Sequence, residues 1–334
     1  MYLIEHVSGM KFYANGGESL LEAATRAGFN FNYSCRTGRC SSCKCKVLSG
    51  VTTTLQAETG LSANDRTEGW ILSCVRAARS DLRIEAEDLG GIALPPKKTL
   101  PCRISMLEKV APDVIRVYLR LPPSVEFSFI PGQYIDVIGP GGIRRSYSLA
   151  NADFSHKVLE LHIRAVNGGV MSGYWFNHAK VNDLLRLNGP LGTFFLRDST
   201  KVDLIFLATG TGIAPVKAIL ESIPALPRKQ RPKSVTVLWG GRTPPDLYFD
   251  VTGIPFDHHF IPVLSRAQGN WTGAKGYVQE VLLATQPNLS NAVVYACGSD
   301  AMIHGAKKAL VQAGLPDQCF YADAFVCSAT SLSS

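Results

Sequence analysis

The sequence predicts a multidomain α+β and α/β protein, because three consecutive stretches of the chain have different patterns of apolar residues. Residues 1–92 combine short alternating strands with one amphipathic helix, residues 102–200 form short strands broken by Gly, Pro and Asn, and residues 201–334 alternate apolar strands with helices. These patterns are typical of a small mixed sheet, an antiparallel barrel and a doubly wound parallel sheet. A chain of 334 residues is also too long for one ordinary core.

Composition indicates a folded protein that prefers anionic ligands. Hydrophobic residues make up 46% of the chain and charged residues 18%, so disorder is not expected. Residues 1–92 contain ten acidic and ten basic side chains, so the whole excess of +7 belongs to the remainder. A basic body favours ligands such as nucleotides, although an excess this modest is equally typical of solvated surface. No dense basic stripe is present, so nucleic acid is not an expected partner.

The first residues do not predict secretion or a membrane anchor. The stretch MYLIEHVSGMKFYANGG has neither the basic region nor the apolar run of a signal peptide. No window approaches ~18 consecutive apolar residues, so no membrane-spanning helix is expected. We therefore expect a cytoplasmic protein with reduced thiols, in which clustered cysteines are metal ligands more often than disulfides.

Four cysteines have the spacing of an iron–sulfur site. Cys35, Cys40 and Cys43 form C-x4-C-x2-C, and Cys74 follows after thirty intervening residues. This spacing is typical of a plant-type [2Fe–2S] cluster, in which a tight loop wraps three thiolates around the cluster and a distant segment supplies the fourth. Gly38 and the small serines nearby would let backbone N–H groups approach the sulfurs.

A structural zinc site is the alternative interpretation of these cysteines. Such sites usually combine two C-x2-4-C pairs, whereas only Cys40 and Cys43 form one here. Zinc would leave the protein colourless. If the cluster is [2Fe–2S], Cys45 is not a ligand but a residue of a predicted strand. Three cysteines without a surrounding motif are predicted packing residues: Cys102, Cys319 and Cys327.

The residues around the cysteines predict a helix laid across a small mixed sheet. In ESLLEAATRAGFN (18–30), apolar residues recur at helical spacing and Gly28 suits a helix end. A hairpin-like stretch precedes this helix, and CKCKVLSG and LRIEAED follow as strands by their alternation. This segment resembles the plant-type ferredoxins, a β-grasp fold, over residues 1 to about 90. The Gly- and Pro-rich GGIALPPKKTLP then predicts a linker, assigned to residues 93–101.

A short motif in the second segment predicts a nucleotide site on the barrel. Arg145, Tyr147 and Ser148 form R-x-Y-S on a strand, Arg164 lies on a later strand, and NGGVMSGYWFN opens a predicted helix. These features suit a nucleotide diphosphate, because a helix start offers free N–H groups and a positive dipole end. R-x-Y-S alone also arises by chance in strands. Its order between PGQY upstream and GGVMS and GPLGTFF downstream makes it specific.

The third segment predicts ligand loops at the carboxyl ends of parallel strands. DLIFLATGTGIAPVKAILESI (203–223) combines an apolar strand, a Gly-rich turn and a helix, and AVVYACGSD (292–300) is a later strand. Ligands of such sheets bind at the carboxyl ends of the strands, which makes Gly210-Thr211-Gly212 and Cys297-Gly298 candidate sites. A lone G-x-G is weak evidence, since Pro215 stands where the dinucleotide fingerprint has its third glycine. A simple strand-to-helix connection is the alternative.

Together the three segments resemble the ferredoxin–NADP reductase superfamily over essentially the whole chain. The resemblance implies an antiparallel flavin-binding β-barrel (102–200) and a doubly wound nucleotide-binding domain (201–334) after the ferredoxin domain. It implies catalytic positions at Ser148, Cys297 and Phe325. FAD-binding positions are implied at Arg145, Tyr147, Ser148, His162, Ile163, Arg164, Gly169, Val170, Met171 and Ser172. Positions for the nicotinamide nucleotide are implied at Gly210, Thr211, Gly212, Pro215, Gly241, Arg242 and Gly298.

The implied cofactors form an electron chain. A nicotinamide delivers two electrons as hydride, a [2Fe–2S] cluster accepts one at a time, and a flavin can do both. Ser148 would hydrogen-bond the flavin ring, and Cys297 would lie beside the nicotinamide or else be a buried apolar residue. The resemblance predicts NADH as the donor, although Arg242, Ser265 and Arg266 could meet the 2′-phosphate of NADPH.

The electron acceptor is predicted from a closer resemblance. The ferredoxin-first order, RLPPSVEFSFIPGQYIDV, GPLGTFFLRDS and the ending FYADAFVCS resemble the CDP-6-deoxy-delta-3,4-glucoseen reductases of 3,6-dideoxyhexose biosynthesis. This implies reduction of an intermediate on a pyridoxamine phosphate-dependent dehydratase, with removal of the sugar C3 oxygen. A Rieske ring-hydroxylating or di-iron oxygenase is the alternative partner. A third hypothesis is a flavin and cluster redox sensor without turnover, which steady-state reduction of cytochrome c with NADH would separate from both.

Overall fold

The computed structural model describes residues 1–254 and 256–325, and the chain divides into two compact units, Met1–Leu94 and a second that begins at Pro95. The first unit has the predicted mixed sheet, and the second contains both the antiparallel barrel and the parallel sheet. In these two stretches no helix is long and apolar enough to cross a membrane. Cys327 lies outside the described residues.

The first unit is a five-stranded mixed sheet with a helix packed against it. Its elements are β1 (Tyr2–His6), β2 (Lys11–Ala14), α1 (Leu20–Arg26), β3 (Lys44–Ser49), β4 (Thr52–Thr54), α2 (Ala63–Thr67), β5 (Trp70–Leu72), β6 (Arg76–Ala78) and β7 (Leu82–Ala86). The strand order is β2-β1-β7-β3-β5, with β1 parallel to β7 and the other neighbours antiparallel. Strands β4 and β6 form a separate antiparallel pair. The predicted hairpin, helix and two following strands are confirmed.

Local chemistry sets the ends of helix α1. The hydroxyl of Ser19 accepts the N–H of Glu22 at 3.2 Å, and the Glu22 carboxylate accepts the N–H of Ser19 at 3.3 Å, which is a capping box. Leu20, Leu21 and Ala24 are buried against the sheet. The helix is shorter than the predicted span 18–30, because the residues before Leu20 form the cap and the chain turns out of the helix after Ala27.

The second unit begins with a six-stranded antiparallel barrel. Its strands are β8 (Lys98–Ala111), β9 (Val114–Arg120), β10 (Tyr134–Ile138), β11 (Arg144–Ser148), β12 (Val158–Arg164) and β13 (Leu184–Leu191). The order is β11-β10-β13-β8-β9-β12, and every neighbouring pair is antiparallel. The two end strands meet through an isolated bridge between Leu149 and Leu161. Inward-facing residues such as Val117 and Leu159 fill the core.

The structure of the barrel differs from the sequence prediction at two places. The predicted strand TFFL (193–196) is irregular, because the chain turns at Gly192, whose carbonyl accepts the side-chain amide of Gln133 at 3.0 Å. The helix predicted after NGG is α-helical only over α3 (Val170–Gly173) and continues as a π-helical turn over Tyr174–His178. Trp175 of this turn is buried in the barrel core.

The remainder of the second unit is a parallel sheet with helices. Its elements are β14 (Asp203–Thr209), α4 (Ile213–Ser222), β15 (Ser234–Gly241), β16 (His259–Leu264), β17 (Ala274–Lys275), α5 (Val278–Ala284), β18 (Ala292–Gly298), α6 (Asp300–Gln312) and β19 (Phe320–Ala324). The order is β17-β16-β15-β14-β18-β19, and all neighbours are parallel. Strand order reverses between β14 and β18. A ligand crevice is expected at the carboxyl ends of these two strands.

Candidate active site

The four predicted ligand cysteines lie in two pairs. The Sγ atoms of Cys43 and Cys74 are 3.2 Å apart, and the backbone N–H of Cys35 donates to Cys40 Sγ at 3.4 Å. Cys40 and Cys43 are buried, whereas Cys35 and Cys74 are partly exposed. Among the described residues, no group of three or more His, Cys, Asp or Glu side chains is placed to hold a single metal ion.

The cysteine loop has a fixed backbone that requires glycine at one position. Gly38 has φ +75°, and a Cβ there would lie 2.5 Å from the carbonyl oxygen of Ala57. The N–H of Gly60 donates to the Gly38 carbonyl at 2.9 Å, and the Ser41 hydroxyl donates to the Gly60 carbonyl. Two hydrogen bonds with Gly60 therefore fix the backbone of the cysteine loop. Any side chain at Gly38 would push the two segments apart.

Hydrogen bonds favour the thiolate form at two of the cysteines. The hydrogen bond with Cys40 lowers the pKa of Cys35 to about 5, and the N–H of Thr37, 3.4 Å from the Cys35 sulfur, acts in the same direction. The hydrogen bond with Cys43 likewise lowers the pKa of Cys74. Thiolates are the form that binds metal, and N–H groups directed at sulfur are typical of iron–sulfur sites.

A buried glutamate that the sequence did not single out supports the distant cysteine. Glu58 accepts the N–H of Leu72 at 2.7 Å and the guanidinium of Arg76 at 2.7 Å. Its side chain is only 4% exposed. Leu72 and Arg76 stand on either side of the short 3-10 turn that contains Cys74. Glu58 therefore fixes both ends of this turn.

Replacement of Glu58 by alanine is expected to destabilise the first unit by about 3 kcal/mol, because it leaves the half-buried Arg76 guanidinium without its carboxylate and the buried Leu72 N–H without an acceptor. Urea-induced unfolding of the full chain, followed by loss of the cluster's visible absorbance, measures the change. Glu5→Ala, which removes the exposed ion pair with Lys11, is the matched control and should change little. Equal effects of the two substitutions would contradict this account of Glu58.

In the second unit, the R-x-Y-S strand lies beside an open seam of the barrel. Strands β11 and β12 end the sheet order and are joined by the Leu149–Leu161 bridge, beside which the Ala150 N–H donates to the Glu160 carbonyl at 2.8 Å. Tyr147, on β11, accepts a hydrogen bond from the Trp175 indole at 2.9 Å, and the two rings pack edge to face. Arg145, two residues earlier, is partly exposed. The seam thus presents a fixed tyrosine ring and an arginine at one edge.

The glycine-rich segment predicted to bind pyrophosphate forms the first turn of α3. The Ser172 hydroxyl accepts the N–H of Val166 at 2.9 Å, and Gly169 is the N-cap. Met171 is buried in the barrel core, whereas Val170 is 59% exposed. The first N–H groups of a helix have no partners within the helix, so this turn offers donors to an anion.

The two predicted loops of the parallel sheet lie against each other. A Cβ on Gly212 would lie 2.2 Å from the carbonyl oxygen of Cys297, so only glycine permits this approach. The Ser299 N–H lies 3.4 Å from the Thr209 hydroxyl, which joins the ends of β14 and β18. Pro215 stands in the first turn of α4, where a missing N–H costs nothing. The loops after β14 and β18 form one site.

The three predicted catalytic residues converge around an aspartate that the sequence analysis missed. The Ser148 hydroxyl donates to Asp323 Oδ2 at 3.3 Å, and Asp323 is the register partner of Cys297 on the neighbouring strand. The N–H of Phe325 donates to the Gly298 carbonyl at 2.8 Å. Burial, and then the Asp323 charge, raise the pKa of the Cys297 thiol, so it stays protonated. Asp323 is the single acidic residue in FYADAF, and that isolation was its only sequence signal.

Two predicted flavin positions on β12, His162 and Ile163, have side chains buried among protein groups. Ile163 is part of the barrel core. His162 is buried, with Nε2 2.8 Å from Glu160 Oε1 and Nδ1 3.1 Å from the Tyr248 hydroxyl. Burial lowers the pKa of His162, so its ring is neutral at pH 7. The side chain of His162 therefore bonds to protein groups, and an FAD contact at this strand would use its backbone.

Arg164 connects the barrel to the nucleotide loop. It donates to Asp113 at 2.7 Å and to Asp246 at 2.5 Å. A Cβ on Gly210 would lie 2.6 Å from Arg164 Nη1, so the guanidinium borders the loop after β14. Asp246 also accepts the N–H of Arg242 at 2.9 Å. One carboxylate thus joins two arginines that the sequence assigned to different cofactors.

The outer end of the same crevice has an exposed aromatic ring. Tyr277, between β17 and α5, is 61% exposed. Arg242 and Arg266 are exposed after β15 and β16, and the Arg266 N–H donates to the Arg242 carbonyl at 2.9 Å. An exposed ring and two exposed arginines at the carboxyl ends of parallel strands suit the distal half of a dinucleotide.

Three family models match consecutive parts of the chain. Residues 4–79 match the 2Fe-2S iron-sulfur cluster binding domain, residues 101–196 the oxidoreductase FAD-binding domain and residues 206–308 the oxidoreductase NAD-binding domain. The protein is therefore an oxidoreductase whose cofactors are a [2Fe–2S] cluster, FAD and a nicotinamide nucleotide.

Several reductases and electron transfer components are similar to this protein over nearly the whole chain. The CDP-6-deoxy-L-threo-D-glycero-4-hexulose-3-dehydrase reductase of Yersinia pseudotuberculosis is 39% identical, covering 96% of this chain and 97% of that protein. The xylene/toluene monooxygenase electron transfer component XylA of Pseudomonas putida is 32% identical, covering 95% and 91%. The crystal structure of Amycolatopsis cytochrome P450 reductase GcoB superposes with a TM-score of 0.75 at 29% identity, covering 97% and 99%. The chain belongs to this family of iron–sulfur flavoprotein reductases.

Proposed function

We propose that the protein transfers electrons from NADH through FAD and the [2Fe–2S] cluster to a pyridoxamine phosphate-dependent dehydratase of CDP-3,6-dideoxyhexose biosynthesis. The 39% identity to a CDP-6-deoxy-hexulose-3-dehydrase reductase over 96% of the chain is the observation on which this acceptor rests. Such a reductase would act in the cytoplasm, where reduced thiols are available for a cluster.

The test is a coupled assay with purified components. NADH oxidation is followed with the reductase, the cognate 3-dehydrase and its CDP-6-deoxy-hexulose substrate, and the deoxygenated product is identified by mass spectrometry. We expect product only when all three are present. Rapid NADH-dependent reduction of cytochrome c without any sugar product would exclude this acceptor and leave the reductase activity standing.

The four cysteines Cys35, Cys40, Cys43 and Cys74 are proposed as the cluster ligands. Four cysteine thiolates hold a [2Fe–2S] cluster, and the thiols here already stand as two pairs, one for each iron. The N–H groups directed at the Cys35 and Cys40 sulfurs would remain available for hydrogen bonds to the cluster. Zinc fits this arrangement less well, because a structural zinc ion takes all four ligands at one centre.

The seam between β11 and β12 is proposed to hold the FAD. When bound, the flavin accepts a hydride and releases electrons singly, which links the nicotinamide to the cluster. Tyr147 would lie along the ring system, and Arg145 would bind the pyrophosphate together with the backbone N–H groups of residues 170–172 in the first turn of α3. Trp175 keeps the Tyr147 ring in place through its indole hydrogen bond.

The crevice after β14 and β18 is proposed to bind the nicotinamide. Ser148 and Asp323 would orient the flavin edge, and the protonated Cys297 thiol would occupy the space beside the nicotinamide ring without adding charge. Phe325 would cover the flavin until the nicotinamide enters. NADH is the proposed donor, and comparison of kcat/KM for NADH and NADPH tests this choice.

Tyr277 is proposed to stack on the adenine of the nucleotide. Tyr277→Ala should raise KM for NADH about 10-fold with little change in kcat, since loss of one base–aromatic stack costs about 1–3 kcal/mol. Steady-state ferricyanide reduction over a range of NADH concentrations measures both constants. Tyr13→Ala is the control: it removes an exposed tyrosine on β2 of the first unit and should leave KM for NADH unchanged. A lower kcat at unchanged KM would contradict the assignment.

An oxygenase is the second candidate acceptor. The 32% identity to the electron transfer component XylA over 95% of the chain favours it. The two candidates differ in the required partner, so electron transfer is compared with a purified 3-dehydrase and with a purified di-iron or Rieske oxygenase. Faster transfer to the oxygenase at equal partner concentration would favour the second candidate.

A further inference from the structure

A buried lysine joins the barrel to the parallel sheet behind the candidate site. Lys217 lies on α4, the helix that follows the Gly210–Gly212 turn, and is 7% exposed. Its ammonium group donates to Glu160 Oε2 and to the Ala150 carbonyl, each at 2.9 Å, and lies 2.7 Å from Glu221 Oε1. Three donor hydrogens thus meet three acceptors.

These acceptors belong to the elements that form the two halves of the site. Ala150 lies two residues beyond Ser148, the last residue of β11, and Glu160 lies on β12 across the seam. Glu160 is also bonded to the buried His162 ring at 2.8 Å. Lys217 itself is only two residues after Pro215 in the helix that begins at the nucleotide loop. One ammonium group therefore connects both edges of the seam to that loop.

The hydrogen bonds of the Lys217 ammonium group fix the relative placement of strands and helix more than they stabilise the fold. A buried ion pair contributes little net stability compared with apolar residues of similar volume, because both charges lose their hydration. Two of the three acceptors, however, lie outside α4, so the ammonium group keeps all its hydrogen bonds only while α4 stays in register with the Ala150 carbonyl and with Glu160 on β12. That placement brings Ser148 within 3.3 Å of Asp323.

We propose that Lys217 is a positioning residue that sets the distance between the flavin and the nicotinamide. The proposal rests on the functions proposed above for Ser148 and Cys297. Lys217 acts through Ala150 and Glu160, which fix the strands of the seam, and through α4, which fixes the nucleotide loop. A misplacement of about 1 Å between reacting groups slows a reaction by about 100-fold, so a modest shift is measurable.

The test compares hydride transfer in the full-length holoenzyme and its variants by anaerobic stopped-flow at saturating NADH. Lys217→Met should slow flavin reduction at least about 10-fold, while flavin content stays the same and the dissociation constant for NADH changes less than about 2-fold. Lys217→Arg, which keeps a cation and several donors, should recover most of the rate. Lys307→Met is the matched control, because Lys307 forms an ion pair with Asp317 on the outside of the same sheet.

A second variant keeps the proposal testable if Lys217→Met does not fold. Glu160→Gln/Lys217→Met removes both charges, so no unpaired ion from this pair stays buried, and it should show the same slow flavin reduction. Wild-type flavin that NADH does not reduce would overturn the proposed function itself. Normal wild-type reduction with an unchanged rate in Lys217→Met and in the double variant, or an equal loss in Lys307→Met, would overturn the positioning role alone.

Discussion

Cys74→Ser is expected to reduce NADH-dependent cytochrome c reduction at least about 100-fold and to leave ferricyanide reduction near the wild-type rate. Loss of an outer-shell partner of a metal site already costs 10–100-fold, so loss of a ligand should cost at least that much. A serine hydroxyl is a harder donor than a thiolate and binds iron–sulfur clusters poorly. The FAD and nicotinamide sites lie in the second unit, so direct electron transfer from flavin to ferricyanide should continue.

The measurement combines visible and EPR spectra with both steady-state assays. The variant should lose the iron–sulfur absorption and EPR signal while it keeps the flavin bands. Cys319→Ser, which changes a partly exposed cysteine of the second unit, is the control and should keep both activities. Loss of ferricyanide reduction in Cys74→Ser would contradict the independence of the two units. Retention of the cluster signal would remove Cys74 from the ligand set.

Ser148→Ala is expected to slow flavin reduction by NADH about 100-fold with the FAD still bound. Removal of one preorganised hydrogen-bond donor at a reacting group costs about 100- to 1,000-fold. Ser148 is 7% exposed and donates to Asp323, so its hydroxyl has a defined direction at the meeting point of barrel and sheet. FAD affinity should stay close to normal, since Arg145 and Tyr147 are unchanged.

Anaerobic stopped-flow measurement of the visible flavin absorbance gives this rate directly. Ser146→Ala is the matched control, because Ser146 lies on the same strand, is exposed and bonds to Asp136 at 2.6 Å. Asp323→Asn tests the pair from the other side and should also slow transfer. If the double variant Ser148→Ala/Asp323→Asn reduces its flavin no more slowly than the slower of the two single variants, the two residues act as one unit. An unchanged rate in Ser148→Ala would exclude the proposed role.

The order and type of the three segments were predictable because they depend on local periodicity. Apolar residues at alternate positions in LRIEAED become β7, and continuous apolar runs such as DLIFLAT become a parallel strand buried on both faces. The cysteine spacing was equally informative, since loop geometry limits which thiols can reach one cluster. The helix predicted after NGG forms, but its change from α-helical to π-helical at Tyr174, with Trp175 buried in the barrel core, has no local sequence signal.

The supporting polar residues could not be found in the same way. Glu58, Lys217 and Asp323 are single charged residues in otherwise ordinary stretches, and their partners are 18, 57 and 175 residues away in the chain. His162 differs from these three residues, because the sequence did single it out. It was assigned to the flavin by its position on β12, yet its ring bonds to Glu160 and Tyr248. Which face of an edge strand meets a neighbouring domain is decided by packing.

The sequence by itself determined the three-part architecture, the [2Fe–2S], FAD and nicotinamide cofactors, and the loops that meet at the carboxyl ends of β14 and β18. The architecture follows from local periodicity, the cluster from the cysteine spacing, and the flavin, the nicotinamide nucleotide and their loops from the order of the motifs and the family resemblance. Only the tertiary structure decided that Ser148 points to Asp323 and that Lys217 connects the seam to the nucleotide loop. A buried polar group must find a partner wherever the fold brings one, and that requirement acts through space, not along the chain.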